Sequence, residues 1–244
     1  ACGSARIKHF GAGTQRVESD VHRLFPQART LRWDWDVTRS PGAHDVILAH
    51  FANHRADVLI GTQMIAKGLD LPLVTLVGVV SADTGLSLPD FRAAERTFQV
   101  LTQVAGRAGR GLLGGRVILQ TYQPDHYVLR AAAAHDYAAF YEQELRHRRQ
   151  LSYPPFQRLA RLTYRHVHAR QAQKESEKLS GVLRAEIVRQ GVQADLIGPA
   201  PCFFQRVRGL HRWHVILRAA NPAALVPEVL PPGWTVDGDP VSLL

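Results

Sequence analysis

The sequence has little that would mark an exported or membrane-bound protein. Its 244 residues include only two cysteines, Cys2 and Cys202, which are too few for a disulfide framework. No apolar run reaches the roughly 18 residues that a membrane-spanning helix needs, and the first residues resemble no signal peptide. We therefore expect a cytoplasmic protein without a membrane partner.

The sequence also lacks the phosphate-binding loop of ATPases. The pattern G-x-x-x-x-G-K-[ST] does not occur, and Lys67-Gly68 has no glycine loop upstream. Without that loop nothing in the chain cradles a β-phosphate or holds Mg²⁺. We expect the chain to be inactive as an ATPase on its own and to be part of a longer protein.

Lysine is scarce, although the chain is strongly basic. It contains 26 Arg and 4 Lys, and its formal net charge is +9. Guanidinium groups match phosphate oxygens in a bidentate way, which favours nucleic acid as the partner. Alternatively, the arginines reflect genome composition and form a solvated face.

Strand-like and helix-like patterns alternate through the first half of the chain. This order predicts a parallel sheet with helices on both faces, of the RecA-like α/β type. The continuous apolar run of residues 74–80 predicts a buried parallel strand. The other strand-like segments are residues 30–33, 57–62 and 116–120, and the helix-like segments include residues 14–25 and 91–106.

Tyr153-Pro154-Pro155 ends a helix-like segment and suggests a domain boundary, because proline cannot continue a helix. We expect residues 1–125 to form the RecA-like lobe, 126–152 a helical linker, and 153–244 a small C-terminal domain of α/β or α+β type. Within this last domain the patterns predict a strand at 158–165, a helix at about 170–189 and a strand at 213–218.

The most specific string is Gln103-Val-Ala-Gly-Arg-Ala-Gly-Arg110, which matches motif VI of superfamily 2 helicases. Arginine neutralises charge on a transferring γ-phosphoryl group, and glycine lets the backbone approach it. Arg107 and Arg110 are therefore candidate arginine fingers. Alternatively, the two arginines only cap the C-terminus of a helix.

A second string, residues 60–72 (IGTQMIAKGLDLP), resembles motif V of the same motors. Gly61 and Thr62 would offer a backbone N–H and a hydroxyl to the phosphates of single-stranded DNA. The resemblance implies that Gly68 and Asp70 couple the nucleotide to that strand. Alternatively, Asp70 only caps a turn.

Further strings follow in one order along the chain, and with the two motifs they resemble the PriA family of primosomal replication-restart helicases. They are DFRAAERTFQ (90–99), LQTYQP (119–124), YPP (153–155) and GPAP (198–201). The resemblance implies an ATP-dependent 3′-to-5′ DNA helicase of the bacterial nucleoid, with Gln103 sensing the γ-phosphate and with ATP and Mg²⁺ shared with a first lobe. It also implies forked or single-stranded DNA, single-stranded-DNA-binding protein and other primosome proteins as partners.

The resemblance also implies that the longer parent protein binds zinc. In that family Cys2-Gly3 ends one of several Cys-x-x-Cys pairs that hold zinc. Tetrahedral zinc needs four ligands, so Cys2 by itself is not expected to bind the metal. We expect zinc only in a longer parent protein, and we expect Cys202 to be a buried or half-buried thiol.

Basic and aromatic residues interleave in the segment 203–214 (FFQRVRGLHRWH). Arg206, Arg208 and Arg212 suit phosphates, and Trp213 suits base stacking. Alternatively, the aromatic residues of this segment belong to a core.

A different class of function is also compatible with the sequence. In this alternative the protein is a non-catalytic scaffold that binds fork DNA and recruits proteins, because its first lobe has lost the phosphate loop. Intact candidate arginine fingers count against it, since a protein that hydrolyses no ATP has no chemical need of them.

Overall fold

The computed structural model describes residues 13–34, 42–62, 74–106 and 115–244, and these form two compact units. The first unit holds the described residues up to Ser87 together with residues 95–137. The second unit holds residues 88–94 and 138–244. The predicted domain boundaries at residues 125 and 152 remain predictions.

Helices and four-residue strands alternate in the first unit, and the strands pair in parallel, β1 with β2 and β3 with β4. This alternation agrees with the predicted α/β class. The elements are α1 (Thr14–Leu24), β1 (Thr30–Trp33), α2 (Ala43–Ala52), β2 (Val58–Gly61), β3 (Leu76–Val79), α3 (Asp83–Leu86), α4 (Ala93–Ala105), β4 (Arg116–Leu119) and α5 (Tyr127–Ala133). The first two residues of α4 belong to the second unit.

Burial in the first unit is less complete than the sequence predicts. Residues 76–79 of the run 74–80 form a parallel strand, but Leu76 is 59% exposed and Val80, just after the strand, is 47% exposed. The predicted burial is wrong at these two positions. Among the described residues β3 pairs only with β4, which makes it an edge strand there. A small core of Trp33 and Ile47 lies between β1 and α2.

The second unit is built on a four-stranded antiparallel sheet with the strand order β6-β7-β5-β8. It is therefore an α+β unit rather than a parallel α/β unit. Its elements are α6 (Tyr137–Gln150), β5 (Arg158–His166), α7 (Ala169–Gln190), β6 (Ala194–Val207), β7 (Leu210–Ala219), a 3-10 helix (Pro222–Leu225) and β8 (Trp234–Gly238). Only Tyr137, at the start of α6, belongs to the first unit.

One face of this sheet packs against α7. Leu162 of β5 and Leu217 of β7 are fully buried in one cluster with Leu183 of α7. Because side chains alternate along a strand, the residues next to Leu162 in β5 and next to Leu217 in β7 point to the opposite face of the sheet. That opposite face carries a smaller cluster of Leu159 and Ile216 with the C-terminal Leu243.

The sequence patterns missed the edge strands β6 and β8. Strand β6 contains Gly198, Pro199 and Pro201, residues that disfavour a central strand but are tolerated at a sheet edge. Gly198 adopts a positive φ of 96°, and a Cβ there would lie 2.9 Å from the carbonyl oxygen of His214. The glycine of the GPAP string is therefore required by close backbone approach.

None of the described helices combines the length and the apolar character needed to cross a bilayer.

Candidate motor motifs and nucleic-acid interface

Gly61 and Thr62, the predicted DNA contacts of the first unit, lie at the carboxyl end of a parallel strand. Gly61 is the last residue of β2, and it pairs with Trp33 of β1. Both Gly61 and Thr62 are exposed. The carboxyl edge of a parallel sheet is the usual place for ligands in α/β folds.

Gln103, the predicted sensor of the γ-phosphate, lies in the last turn of α4 and is exposed. The opposite side of this helix carries Phe98 and Leu101, both buried. Packing of these two residues fixes the helix, so its other face presents Gln103 to solvent. Gly106 closes the helix by donating its backbone N–H to the carbonyl oxygen of Thr102 at 3.0 Å.

Several predicted site residues lie outside the described residues. These residues are Cys2, Gly68, Asp70, Arg107 and Arg110. Their predicted roles remain predictions.

Sequence reasoning missed Asp83, a buried carboxylate behind the carboxyl ends of β3 and β4. It accepts hydrogen bonds from Thr121 Oγ1 at 2.9 Å and from the backbone N–H of Tyr122 at 3.1 Å. Burial raises the pKa of Asp83, but these hydrogen bonds outweigh burial and hold the pKa below its usual value. The carboxylate thus joins the segments that follow two neighbouring strands. The LQTYQP string, which contains both hydrogen-bond partners, was the sequence feature that could have pointed to this contact.

The first part of the DFRAAERTFQ string has a structural role in the second unit. The buried carboxylate of Asp90 accepts hydrogen bonds from Ser242 Oγ at 2.5 Å and from the backbone N–H groups of Leu243 at 3.2 Å and Arg92 at 2.9 Å. Asp90 therefore holds the C-terminal residues in place.

Phe91 stacks on Tyr153 of the YPP string, and an arginine side chain contacts each of the two rings. The rings of Phe91 and Tyr153 stack with centroids 5.6 Å apart. Arg148 lies over the Phe91 ring, 5.4 Å from its centre, and Arg218 lies 4.9 Å from the centre of the Tyr153 ring. The two strings are thus linked by the stacked rings of Phe91 and Tyr153, and the two cation–π contacts add to the stability of the second unit.

Arg206 and Arg208, two predicted DNA contacts, lie at the hairpin that joins β6 to β7. Val207 pairs with Leu210, which leaves Arg208 and Gly209 as a two-residue turn. Their φ values of 50° and 82° are both positive, as a type I′ turn requires. Both arginines are exposed at this turn.

The structure does not place all four predicted DNA contacts of this unit on one face of the sheet. Trp213 lies opposite Tyr164, a buried residue on the face that packs against α7, and is itself half-buried. Its neighbour Arg212 points to the other face because strand residues alternate. Arg212 and Trp213 therefore cannot act on one strand of DNA from the same side of the sheet.

Phe203 and Phe204 are surface residues, so the alternative that places them in a core is wrong. They are 48% and 56% exposed, and their rings contact each other edge to face. The register of β6 against β7 shifts between Pro201 and Arg206, so this segment bulges from the ladder and leaves both rings in solvent.

Cys202, which begins the bulge, is buried as expected. Burial raises the pKa of its thiol, and the positive charges of Arg212, Arg161 and Arg165 oppose that rise. Among the described residues no cluster of three or more His, Cys, Asp or Glu side chains is arranged to hold a metal ion.

Two protein-family models match the chain in sequence order. The helicase conserved C-terminal domain matches residues 18–111, which include Thr62 and both candidate arginine fingers. The primosomal protein N C-terminal domain matches residues 149–231, within the second unit.

Curated relatives match most of the chain. The replication restart protein PriA of Bacillus subtilis (strain 168) is 47% identical over 217 residues, which are 89% of this chain and 27% of that protein. Replication restart protein PriA of Synechocystis sp. is 40% identical over 250 residues, covering 99% of this chain and 30% of the relative. The protein of that name from Haemophilus influenzae is 36% identical over 89% of this chain and 29% of its own length. The chain thus spans about a third of the relatives it matches.

Proposed function

Because the chain belongs to the PriA family of replication restart proteins, we propose that it is the second motor lobe and the C-terminal domain of an ATP-dependent 3′-to-5′ DNA helicase. The whole protein would act in replication fork restart and primosome assembly at the bacterial nucleoid. The observation that carries this proposal is the helicase-domain match, which contains the string QVAGRAGR, whose first residue is the exposed Gln103.

In this proposal ATP and Mg²⁺ are bound jointly with a lobe that supplies the phosphate loop. Arg107 and Arg110 neutralise charge on the γ-phosphoryl group, and Gln103 contacts the same phosphate. Bound Mg²⁺ would supply further neutralisation of phosphate charge. The exposed side chain of Gln103 at the end of a packed helix fits a contact with a ligand outside this unit.

Thr62 would hold single-stranded DNA by its phosphates, and Gly68 and Asp70 would couple that contact to the nucleotide. The position of Thr62 at the carboxyl end of β2 supports this role, because backbone N–H groups and hydroxyls at such edges are free to bind phosphates. In the whole protein Cys2 would be one of several zinc ligands, and the other ligands would come from outside these 244 residues.

The second unit would bind the DNA of a fork through its β6–β7 hairpin. Arg208 lies in the two-residue turn and Arg206 lies two residues before it, both exposed, and the neighbouring Phe203 and Phe204 are exposed as well. Cationic and aromatic side chains in proximity suit the phosphates and unpaired bases of single-stranded DNA. Single-stranded-DNA-binding protein and other primosome proteins would be the protein partners.

A second candidate function is a scaffold that binds fork DNA and recruits proteins without hydrolysing ATP. The absence of a phosphate loop from these 244 residues favours it, because the chain by itself has no place for the β-phosphate. The two candidates differ only in the activity of the lobe that this sequence does not contain.

ATPase assays on the chain and on the whole protein separate the two. We expect no DNA-stimulated hydrolysis by residues 1–244, and DNA-stimulated hydrolysis by the whole protein. Hydrolysis by the chain alone would contradict the shared site, whereas a whole protein that binds forks without turnover would establish the scaffold. DNA binding by the chain should weaken as salt rises, because arginine–phosphate contacts release counterions.

A further inference from the structure

The face of the antiparallel sheet that points away from α7 carries a cluster of positive charge. Arg165 of β5 pairs directly with Arg212 of β7, and Thr163 pairs with His214 in the next position on the same face. Arg161 follows two residues further along β5. We call Arg161, Arg165, Arg212 and His214 the basic sheet face.

The cluster is only partly neutralised within the described residues. Asp237 Oδ2 accepts a hydrogen bond from Arg161 Nη2 at 2.9 Å. For Arg165 and Arg212 the described residues include no carboxylate within ion-pair distance. Like charges directly opposite each other across two strands destabilise a sheet, so a pair of arginines here has a cost that folding alone does not explain.

Buried polar atoms on this face also lack partners. Arg161 Nε, Arg212 Nε and His214 Nδ1 are buried and have no hydrogen-bond partner among the described residues. A buried donor without an acceptor costs free energy that an added acceptor would recover. Burial first, and then the positive charges of Arg161 and Arg212, lower the pKa of His214 on the same face.

We propose that the basic sheet face binds a phosphodiester group of a nucleic-acid strand, with Arg165 and Arg212 as the principal contacts. The proposal rests on the proposed DNA binding of this unit and extends it to Arg161, Arg165 and His214. Guanidinium groups on adjacent strands offer parallel N–H donors to the oxygens of one phosphate.

The neighbouring bulge favours nucleic acid over an acidic peptide. Cys202 lies close enough to Arg161, Arg165 and Arg212 for their charges to act on its thiol, and the exposed Phe203 and Phe204 follow it directly in sequence. A nucleic-acid strand carries both phosphates for the arginines and bases for the aromatic rings. A peptide of acidic residues alone would use only the arginines.

The test is binding of a fluorescent 12-nucleotide oligo(dT) by the whole 244-residue chain and by the double variant Arg165→Gln/Arg212→Gln. We expect at least about tenfold weaker binding at fixed low salt, and a salt dependence smaller by about 1.4 in log–log slope, because two phosphate contacts are lost. The control Arg170→Gln/Arg184→Gln removes the same charge from exposed positions on α7, on the other side of the sheet, and should change binding about twofold or less.

Two further measurements keep the test decisive. Without DNA the double variant should melt at the same temperature as the unmodified chain or higher, because a like-charge pair has been removed. If it does not fold, Arg165→Gln alone suffices, since Arg165 is exposed; it should reduce the slope by about 0.7.

The outcomes separate this inference from the proposed function. If the unmodified chain binds oligo(dT) and the double variant binds as the control does, only the basic sheet face is refuted. If the unmodified chain does not bind oligo(dT) at all, the proposed DNA binding of the unit fails as well. Displacement of oligo(dT) by an oligo-aspartate of equal charge at lower concentration would assign the face to a protein partner and overturn the proposal.

Discussion

The two units of this protein differ in the specificity of their sequence motifs and in the size of their cores. The first unit has four-residue strands and a small described core around Trp33 and Ile47, yet it carries the most specific sequence strings. The second unit has strands of up to 14 residues and a core of eight buried residues, but its sequence has weaker motifs. Chemistry restricts residue identity more tightly than packing does, because a core accepts any apolar side chain of suitable volume.

The largest expected effect concerns the chemistry of the first unit. In the whole protein, Arg110→Ala should reduce the ATPase rate on the order of 10³- to 10⁵-fold, because an arginine finger stabilises charge only in the transition state. DNA binding and the melting temperature should change little. Arg116→Ala, at an exposed arginine of the same unit, is the matched control. If Arg110→Ala retains its ATPase rate, Arg110 is not part of the ATPase site.

The next effect concerns packing in the second unit. Leu162→Ala should reduce the free energy of unfolding of this unit by about 2 to 5 kcal/mol, because Leu162 is fully buried between the sheet and α7. Hydrogen exchange of the β5 amides measures this unit separately from the first. Val182→Ala, at a 54% exposed position on α7, should cost less than about 0.5 kcal/mol. Equal losses in the two variants would contradict the assigned core.

A smaller effect is expected at Asp90. Asp90→Asn should destabilise the second unit by about 1 to 3 kcal/mol, because the carboxylate accepts hydrogen bonds from Ser242, from the backbone of Leu243 and from the backbone of Arg92. Proteolysis of the C-terminal residues should accelerate at the same time. The exposed Asp125→Asn serves as the control. An unchanged cleavage rate at the C-terminus would show that Asp90 does not hold this segment.

The smallest effect is a pH dependence at His214. Burial first, and then Arg161 and Arg212, lower the pKa of His214 in the folded protein. The unfolded chain therefore binds more protons as the pH falls below about 6.5, and stability decreases from there towards the folded pKa. His214→Gln should flatten this part of the stability profile measured by urea unfolding. An identical profile in both proteins would show that His214 does not contribute.

Particular residues show how far the sequence was a guide to the site. The order of strands and helices in the first unit followed from hydrophobic patterns. Gln103 is exposed in the last turn of α4, and its role as a phosphate sensor remains a prediction. The pairing of Arg165 with Arg212 did not follow from the sequence, because 46 residues and two elements separate them. Asp83 was missed because its partners Thr121 and Tyr122 lie 38 and 39 residues away in sequence, so local spacing does not connect them.

The sequence by itself determined the family, the α/β class of the first unit and the residues proposed for chemistry, because these depend on residue identity at fixed local spacing. Tertiary structure alone decided that Asp90 and Phe91 join the second unit, that Arg212 and Trp213 point to opposite faces, and that Phe203 and Phe204 lie in solvent. These are properties of strand register and of contacts between distant residues, and local spacing carries no information about either.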